Sequence, residues 1–400
     1  MKRELIDLIV GNPHYHFPRP AQMVQTRDNS PYGWPVDITN PAFNPDEKKA
    51  RIDWVTNYYK LALTPEHLSK IKAAFYELWF AQRPSVDKPT LWLNTGTIAS
   101  GKTTLAKKKI DEWFPGLEFG VVDKDQLKAV FPLRPQIVKH YPSILFKITD
   151  EILPLREHII AEAMQNQKCI SAEQSLKSSC VKICQRAKEH GYAIVATNIA
   201  VPPIVGYARE LSRFMCDSLQ DDIDDTKLAR REPKENIDAT FSSAPKVLTE
   251  IAEYADSMHF YNSDHKKIHT LHKGEKLPPE VFEKGKILTT TAFDEMVDIL
   301  AFVTHMIDLG SPLAQNADYM ALVHHVSDHV RTIMESQQYP QSVTDKLALA
   351  KRKDDAQYYR DKTREIKKQW LSSAAGESGG GSLPGAPAQP QNAPQKRSHL

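Results

Sequence analysis

The stretch that decides the fold is Gly96-Thr97-Ile98-Ala99-Ser100-Gly101-Lys102-Thr103. A short apolar run precedes it, Leu91-Trp92-Leu93, and a helix-compatible segment follows it from Thr104 to Trp113. Strand, glycine-rich turn and helix form the context in which this pattern makes a phosphate-binding loop. In such a loop, backbone N–H groups and the amino end of the helix face the phosphate oxygens. The stretch therefore predicts a site for a nucleoside triphosphate with Mg²⁺.

The residues of this loop have separate expected tasks. Lys102 would reach the terminal phosphates, and Thr103 would place its hydroxyl on the metal. The alternative is an ordinary glycine-rich turn with an exposed lysine and an N-cap threonine, and the flanking strand and helix argue against it. ATP and GTP both remain open as the nucleotide. The predicted nucleotide-binding residues are Gly96, Thr97, Ile98, Ala99, Ser100, Gly101, Lys102, Thr103 and Thr104.

Composition limits the class of protein. The chain has 400 residues, of which 41% are hydrophobic and 26% charged, so we expect a packed core. Its net charge of +2 argues against a dedicated nucleic-acid surface. No apolar run reaches the about 18 residues of a membrane span, and Glu4 and Asp7 make the start a poor signal peptide. We expect a cytoplasmic protein, or an effector secreted into a target cell.

The texture of the sequence predicts four regions. Residues 1–87 read as a proline-rich arm followed by helices, and residues 88–275 alternate strands with helices. Residues 276–371 read as a helical C-terminal region, and residues 372–400 as a disordered tail rich in Gly, Ser, Pro and Gln. The alternation predicts an α/β fold in which helices flank a mostly parallel sheet, with helical extensions at both ends.

The predicted elements within these regions can be stated with bounds. Lys267 to His272 is expected to add a strand or a loop. The strands are predicted at 90–95, 118–123, 168–173, 192–199 and 256–261. The helices are predicted at 46–60, from Thr64-Pro65-Glu66 to Arg83-Pro84, and at 103–113, 125–130, 144–167, 176–190, 204–219, 243–254, 278–284, 292–309, 315–337 and 341–371.

A second group of candidate residues follows the second predicted strand. This strand is expected to lie next to the phosphate-loop strand, and Asp123 and Asp125 stand at its carboxyl end, where a parallel sheet has its ligand crevice. A carboxylate there can accept the proton of a substrate hydroxyl or orient that hydroxyl. If the segment is still extended, the two side chains share one face. Alternatively, Asp125 caps the helix that follows.

Further candidates stand later in the chain. Glu173 and Ser175 end the third predicted strand and face the same crevice, although Ser175 is also a plausible helix cap. Arg213 lies in a predicted helix, and Arg230 follows an acidic turn. Phosphoryl transfer needs positive charge on the moving group, which the planar guanidinium supplies. By themselves, arginines in charged helices are usually only solvated.

The order of these elements resembles the zeta-toxin family of P-loop kinases over about residues 88–262. The resemblance implies that Lys102 binds the phosphates, that Asp125 is the catalytic base, and that Arg213 and Arg230 close over the transferred phosphoryl group. The stretches that carry it are Gly96 to Thr103, Val122-Asp123-Lys124-Asp125 with Lys128 and Pro132, Glu173-Gln174-Ser175-Leu176-Lys177, Arg213, Ala229 to Lys234, and Ala255 to Asn262.

The resemblance also implies an acceptor and a protein partner. The acceptor would be a nucleotide-containing metabolite, either UDP-N-acetylglucosamine or another nucleotide such as NAD, and the protein partner an antitoxin or chaperone. Lys128 and Lys177 stand where the family has arginine, and Gln174 where it has glycine. Lysine keeps the charge but loses the bidentate geometry. The residues implied to meet the acceptor are Asp123, Lys128, Glu173, Ser175 and Lys177.

These departures leave two classes of function. The first is a toxin- or effector-like kinase that uses ATP or GTP. The second is a nucleotide-binding interaction protein whose altered acceptor residues have lost catalysis.

Overall fold

A six-stranded sheet forms the centre of the protein, with strand order β2-β3-β1-β4-β5-β6. The computed structural model describes residues 20–218 and 234–335. Strands β1 to β5 run parallel to their neighbours, and β6 is antiparallel to β5. The mostly parallel sheet is confirmed, and Lys267–His272 is a strand. The strands are β1 (Thr90–Gly96), β2 (Gly120–Val122), β3 (Ile170–Ser175), β4 (Ala193–Ile199), β5 (Ser257–Tyr261) and β6 (Lys267–His272).

Helices connect the strands and cover the sheet. Because a helix joins each pair of successive parallel strands from β1 to β5, the carboxyl ends of these strands meet at one edge of the sheet. The helices are α1 (Ala21–Asp28), α2 (Pro45–Lys60), α3 (Pro65–Tyr76), α4 (Lys102–Trp113), α5 (Lys124–Ala129), α6 (Arg134–His140), α7 (Leu145–Thr149), α8 (Leu153–Gln165), α9 (Ser178–Glu189), α10 (Pro203–Ser218), α11 (Lys234–Ala252), α12 (Pro279–Gly285), α13 (Thr290–Asp308) and α14 (Ala317–Glu335).

Several predicted elements need correction. The single helix predicted over 144–167 is wrong, because α7 and α8 are separate and a 3₁₀ turn, Asp150–Ile152, lies between them. Pro154 explains the second start, since proline is tolerated only in the first turn of a helix. Helix α11 begins earlier than the predicted 243, and α6 was not predicted. The helix predicted over 341–371 and the tail 372–400 lie outside the described residues.

The core lies on both faces of the central strand. Every residue of β1 is buried, as expected for a strand covered on both faces. Trp92 packs with Phe114 and Phe119 in a small cluster on one face. Leu91 and Leu93, which alternate with it, join the large cluster on the other face. This packing fixes the position of Gly96, from which the predicted phosphate loop begins.

The N-terminal helices are part of this same core. Thr64 caps α3 as predicted, accepting a hydrogen bond from the His67 amide. Helix α3 continues as a π-helical turn, Glu77–Ala81, which packs on the edge strand β2. A methyl group on Gly120 of β2 would lie 2.1 Å from the Phe80 ring, so only glycine fits there. The residues before β1 therefore complete the edge of the sheet.

The C-terminal helices cover the opposite side of the molecule. Helices α13 and α14 both pack on α10, and Tyr319 of α14 donates a hydrogen bond from its hydroxyl to the Leu211 carbonyl at 2.9 Å. None of the helices in the described ranges combines the length and the apolar character that crossing a membrane requires. The described residues all belong to one compact unit.

Candidate functional site

The glycine-rich stretch forms a tight loop between β1 and α4. Gly101, the residue before α4, has φ +89°, a conformation that favours glycine. A methyl group on Gly96 would lie 2.5 Å from Ser100 Oγ and 2.8 Å from the Ile199 carbonyl oxygen. Both glycines are therefore required by the backbone path. The loop begins where β1 lies between β3 and β4, the crevice in which parallel sheets bind ligands.

Lys102 is the buried cation of this loop. Its ammonium donates to the Thr97 carbonyl at 2.8 Å, and burial lowers its pKa to about 8. Asn94 donates to the Lys102 carbonyl at 2.9 Å and accepts from the Thr197 hydroxyl at 2.8 Å. The first residue of α4 is thus fixed by two neighbouring strands.

Two hydroxyl groups of the loop are buried and open for a partner. Thr97 Oγ1 and Ser100 Oγ form no hydrogen bond with any residue in the described ranges. Buried polar atoms usually bind another group or a ligand. Together with the glycines and Lys102, they fit a loop that holds phosphate oxygens. Of the other predicted loop residues, Ile98 and Ala99 contribute their carbonyl groups to the contacts with α10, and Thr104 is exposed.

Thr103 and Glu173 meet across the sheet edge. The Thr103 hydroxyl donates to Glu173 Oε2 at 2.8 Å. Thr103 is the second residue of α4 and Glu173 belongs to β3, so the pair joins the loop to the neighbouring strand. A hydroxyl beside a carboxylate is the kind of oxygen donor set that Mg²⁺ takes in phosphate sites. The residues present therefore fit the metal implied by the phosphate loop.

The two aspartates after β2 have different positions, and the prediction that β2 lies next to β1 is wrong, because β3 lies between them. Helix α5 begins at Lys124, so the segment is not extended and the face-sharing arrangement does not apply. Asp123 is the N-cap: its carboxylate accepts from the Asp125 amide at 2.8 Å and from the Gln126 amide at 3.4 Å. Burial, with the Asp125 charge, raises the pKa of Asp123. Asp125 lies in the first turn of α5 and is exposed, and it does not cap the helix.

Three further residues predicted to meet the acceptor lie at the end of α5, the end of β3 and the start of α9. Lys128, at the end of α5, is buried and forms an ion pair with Asp150 of the 3₁₀ turn. Lys177 is exposed at the start of α9. Ser175 ends β3, and its carbonyl accepts from the Cys180 thiol at 3.2 Å. Lys177, and not Ser175, occupies the N-cap position of α9.

Of the two predicted arginines, the structure describes only Arg213. Arg213 is exposed on α10, and its charge is one of the influences that lower the pKa of Lys102, after the dominant effect of burial. Its charge therefore acts on the phosphate loop. Arg230 lies outside the described residues.

Arg209 was missed by the sequence analysis. It donates to the Ala99 carbonyl of the loop at 3.3 Å and forms a bidentate pair with Glu295 of α13, at 2.9 and 2.7 Å. The arginine thus links the C-terminal helices to the phosphate loop. It lies one turn before Arg213 on α10, and no local signal distinguishes the two, because Glu295 is 86 positions away.

His265 is a second missed neighbour of the loop. It follows β5, and its Nε2 atom would lie 2.8 Å from a methyl group on Gly101. Burial lowers the pKa of His265, and the Arg209 charge lowers it further. The ring therefore packs against the start of α4 as a neutral group around neutral pH. The tight turn from Asn262 to Lys266, in which the Asn262 side chain accepts from the Asp264 and Lys266 amides, holds it there.

Two solved structures can be aligned with large parts of this chain. One is a protein from the PezAT chromosomal toxin–antitoxin system of Streptococcus pneumoniae, with a TM-score of 0.51 and 15% identity; the alignment covers 60% of this chain and 98% of that one. A second is AvrRxo1-ORF1:-ORF2 with ATP, with a TM-score of 0.40 and 16% identity; the alignment covers 72% of this chain and 95% of that one. No curated protein sequence matches the chain.

These structures are only 15–16% identical to the chain, and a family model provides the sequence relationship. Residues 77–275 match the model described as Zeta toxin. The matched range contains the phosphate loop, both aspartates and Glu173. Members of this family are nucleotide-binding P-loop kinases. Through residues 77–275, the chain belongs to the zeta toxin family.

Proposed function

We propose that the chain is a kinase that transfers the γ-phosphate of ATP, or of GTP, to a hydroxyl group of a nucleotide-containing acceptor. One observation carries the proposal. The Lys102 loop, the Thr103–Glu173 pair and the Asp123–Asp125 turn occupy the same edge of the sheet, so a phosphate site and an acidic site are adjacent. That juxtaposition suits phosphoryl transfer, which depends on positioning and on charge stabilisation.

The donor side of the reaction falls to the loop. The backbone N–H groups from Gly96 to Thr103 and the Lys102 ammonium would hold the β- and γ-phosphates. Thr103 would hold Mg²⁺, and Glu173 beside it either helps to hold the metal or meets the acceptor. When bound, Mg²⁺ neutralises the charge of the phosphate oxygens. Arg213 and Arg230 would cover the transferred group with positive charge.

The acceptor side falls to Asp125. Its carboxylate would take the proton of the acceptor hydroxyl while the hydroxyl oxygen bonds to the γ-phosphorus and the β–γ bridging oxygen leaves with ADP. Asp123 holds the start of α5 by capping it, which keeps Asp125 in the first turn. Lys128, Ser175 and Lys177 flank this position at the ends of α5 and β3 and at the start of α9. We assign them, with Asp123, to the acceptor.

The acceptor and the biological setting follow from the family. UDP-N-acetylglucosamine is the first candidate acceptor and NAD the second. The Streptococcus pneumoniae neighbour belongs to a toxin–antitoxin system, which supports an antitoxin or chaperone as the protein partner here. A toxin-like kinase of this type acts in the cytoplasm of its own cell or of a target cell.

The test is phosphoryl transfer to a panel of acceptors. The parent protein, Asp125→Asn and Lys102→Ala are incubated with ATP, Mg²⁺ and each acceptor, and the gain of one phosphate is followed by mass spectrometry. Asp111→Asn, an exposed aspartate near the far end of α4, is the matched control. We expect Asp125→Asn to lower kcat by about 10²–10⁴-fold, and Asp111→Asn to leave it unchanged.

Two results would count against the assignment. Equal transfer by the parent, Asp125→Asn and Lys102→Ala would exclude these residues from the chemistry. Tight ATP binding without transfer to any acceptor in the extract would favour the second class, an interaction protein. The ion pair of Lys128 with Asp150 is the observation that favours this second class, because it occupies a lysine that we assign to binding of the acceptor.

A further inference from the structure

Arg156 is a buried arginine with open hydrogen-bonding capacity. The residue is 7% exposed, and among the residues that the structure describes none accepts a hydrogen bond from its Nε or Nη2 atom. Its Nη1 atom lies 3.6 Å from Glu157 Oε1, too far for a strong hydrogen bond. A buried guanidinium with two unsatisfied donors is costly, and native proteins normally provide a partner for such groups.

Helix α8 carries Arg156 to the ligand edge of the sheet. The carboxyl end of α8 leads into the amino end of β3, so its first turn lies toward the carboxyl ends of the strands. Arg156 is in that first turn. It lies within electrostatic range of Asp123, at the end of β2, and of Cys180, in the first turn of α9. Lys102 of the phosphate loop also acts on Cys180. Arg156 therefore lies near both the acidic turn and the loop.

Gln174 brings a third open donor to the same place. This residue of β3 is 6% exposed, and its Oε1 atom accepts from Ser179 Oγ at 3.1 Å and from Cys180 Sγ at 3.7 Å. These contacts engage the amide oxygen and leave Nε2 without a partner among the described residues. Gln174 contacts Cys180, and Arg156 lies within electrostatic range of the same Cys180. Every open atom of the pair is a donor, so the matching ligand is rich in acceptors and negatively charged.

We propose that Arg156 and Gln174 bind a phosphate group of the acceptor substrate, next to the hydroxyl that receives the γ-phosphate. This inference rests on the proposed kinase function and names the recognition element of its acceptor. Arginine holds phosphate oxygens through two parallel N–H groups, which its open Nε and Nη2 atoms can provide. The site selects acceptors that carry a phosphate over the same molecules without one.

The test measures binding, so it does not depend on turnover. The parent protein is saturated with Mg²⁺ and a non-hydrolysable ATP analogue, so that the donor loop is occupied. N-acetylglucosamine 1-phosphate and nicotinamide mononucleotide are then titrated by calorimetry, each beside the counterpart that lacks only the phosphate, N-acetylglucosamine or nicotinamide riboside. We expect at least one phosphate-bearing probe to bind and its counterpart to bind at least about tenfold more weakly.

Two variants locate the phosphate contact. Arg156→Met is expected to lower the affinity for the phosphate-bearing probe about tenfold or more. Arg156→Lys, which keeps the positive charge, should lower this affinity less. Neither should alter the affinity for the ATP analogue. Gln174→Glu replaces the open amide with a carboxylate that can pair with Arg156, so this variant keeps a satisfied interior if Arg156→Met fails to fold. It should also repel the phosphate-bearing probe.

The possible outcomes separate this inference from the kinase assignment. Binding without phosphoryl transfer would support the phosphate site and defeat the proposed reaction. The phosphate site is excluded if neither phosphate-bearing probe binds at millimolar concentration, or if a bound probe is indifferent to Gln174→Glu and to the Arg156 variants that fold. A loss confined to the ATP analogue would assign Arg156 to the donor loop and overturn the inference.

Discussion

The donor and acceptor halves of the site are built by different means. In the donor half, β1 with the loop and α4, the main contacts involve the backbone: Lys102 donates to a carbonyl, Asn94 donates to another, and two glycines give the path its shape. In the acceptor half, at the ends of β2 and β3 and the first turn of α8, side chains pair with side chains or remain open. Lys128 pairs with Asp150, and two donor atoms of Arg156 have no partner in the described part of the chain.

This difference fits the expected departures from the family pattern, which fall in the proposed acceptor half. A backbone-built site needs particular dihedral angles, and few residues besides glycine allow them. A site built from side chains tolerates exchange, because a partner elsewhere can satisfy the new group. Lys128, which the resemblance places at a family arginine position, is neutralised by Asp150. Under the proposed function, the donor half would define the reaction class and the acceptor half would define the substrate.

The largest expected effect tests the backbone character of the donor half. Gly96→Ala would drive a methyl group to 2.8 Å from the Ile199 carbonyl and 2.5 Å from Ser100 Oγ. Since backbone cannot retreat as a side chain can, the loop should shift. We expect ATP affinity to fall by about a hundredfold, the scale of an ångström-sized misplacement. Titration with a fluorescent ATP analogue measures it.

Gly206→Ala is the matched control for this substitution. Gly206 also adjoins the loop, but a methyl group there meets nothing closer than the Ile98 carbonyl at 3.4 Å, and alanine favours the helix. Its ATP affinity should equal that of the parent. If Gly96→Ala binds ATP equally well, the loop is not a rigid cradle and the contrast between the halves fails.

A second, smaller effect concerns the charge on Lys102. Burial lowers its pKa to about 8 in the free protein, and bound phosphates would raise that pKa. Below pH 8 the lysine is charged in both states, so affinity is constant. Above pH 8 the free lysine is neutral and must take up a proton on binding, so ATP affinity should fall by up to about tenfold per pH unit. Titrations between about pH 7 and pH 10 would show this slope.

Lys102→Met should remove the slope while lowering the affinity at every pH. A variant that retains the slope would assign the titration to another group, such as a second cation near the loop. A parent protein with flat affinity across the range would mean that Lys102 stays charged in its buried position.

The smallest expected effect tests the side-chain character of the acceptor half. Asp150→Asn removes the partner of Lys128, whose side chain is 11% exposed against 50% for Asp150. Because the aspartate is half in solvent, we expect a loss of only about 1 kcal/mol in the free energy of unfolding, measured by urea denaturation. The acceptor KM should not rise, whereas Lys128→Met should raise it severalfold.

Asp53→Asn provides the comparison for this pair. Asp53 forms an ion pair with Lys147 in which both side chains are about half exposed, at 45% and 47%, so its removal should change the stability less than the removal of Asp150 does. Lys128 is purely structural if Lys128→Met lowers stability and leaves the acceptor KM unchanged. The substrate assignment of this residue would then be wrong.

The parts of the fold that were predicted correctly depend on local signals. Each of these signals involves residues only a few positions apart in the chain. They are the Gly96–Thr103 motif, the alternation of strands and helices, and the N-cap at Thr64. The errors occurred where local signals were ambiguous. Both Asp123 and Asp125 suit a helix cap, and only the helix start at Lys124 assigns the cap to Asp123. The sequence analysis predicted one long helix over 144–167, whereas a separate helix begins at Leu153, with Pro154 in its first turn.

Local sequence was sufficient for the phosphate loop, the alternation of strands and helices along the chain and the family, because glycine, lysine and threonine at fixed spacing encode a backbone path directly. The neighbours of the loop strand in the sheet, β3 and β4, were decided by tertiary structure. The surroundings of the loop depended on tertiary structure. Arg209 reaches Glu295 across 86 positions, and Thr103 meets Glu173 across 70. Arg156 is distinguished by its burial and by its electrostatic interactions with Asp123 and Cys180, which lie 33 and 24 positions away in the sequence. Contacts between residues so distant in the chain arise from packing, which no local pattern records.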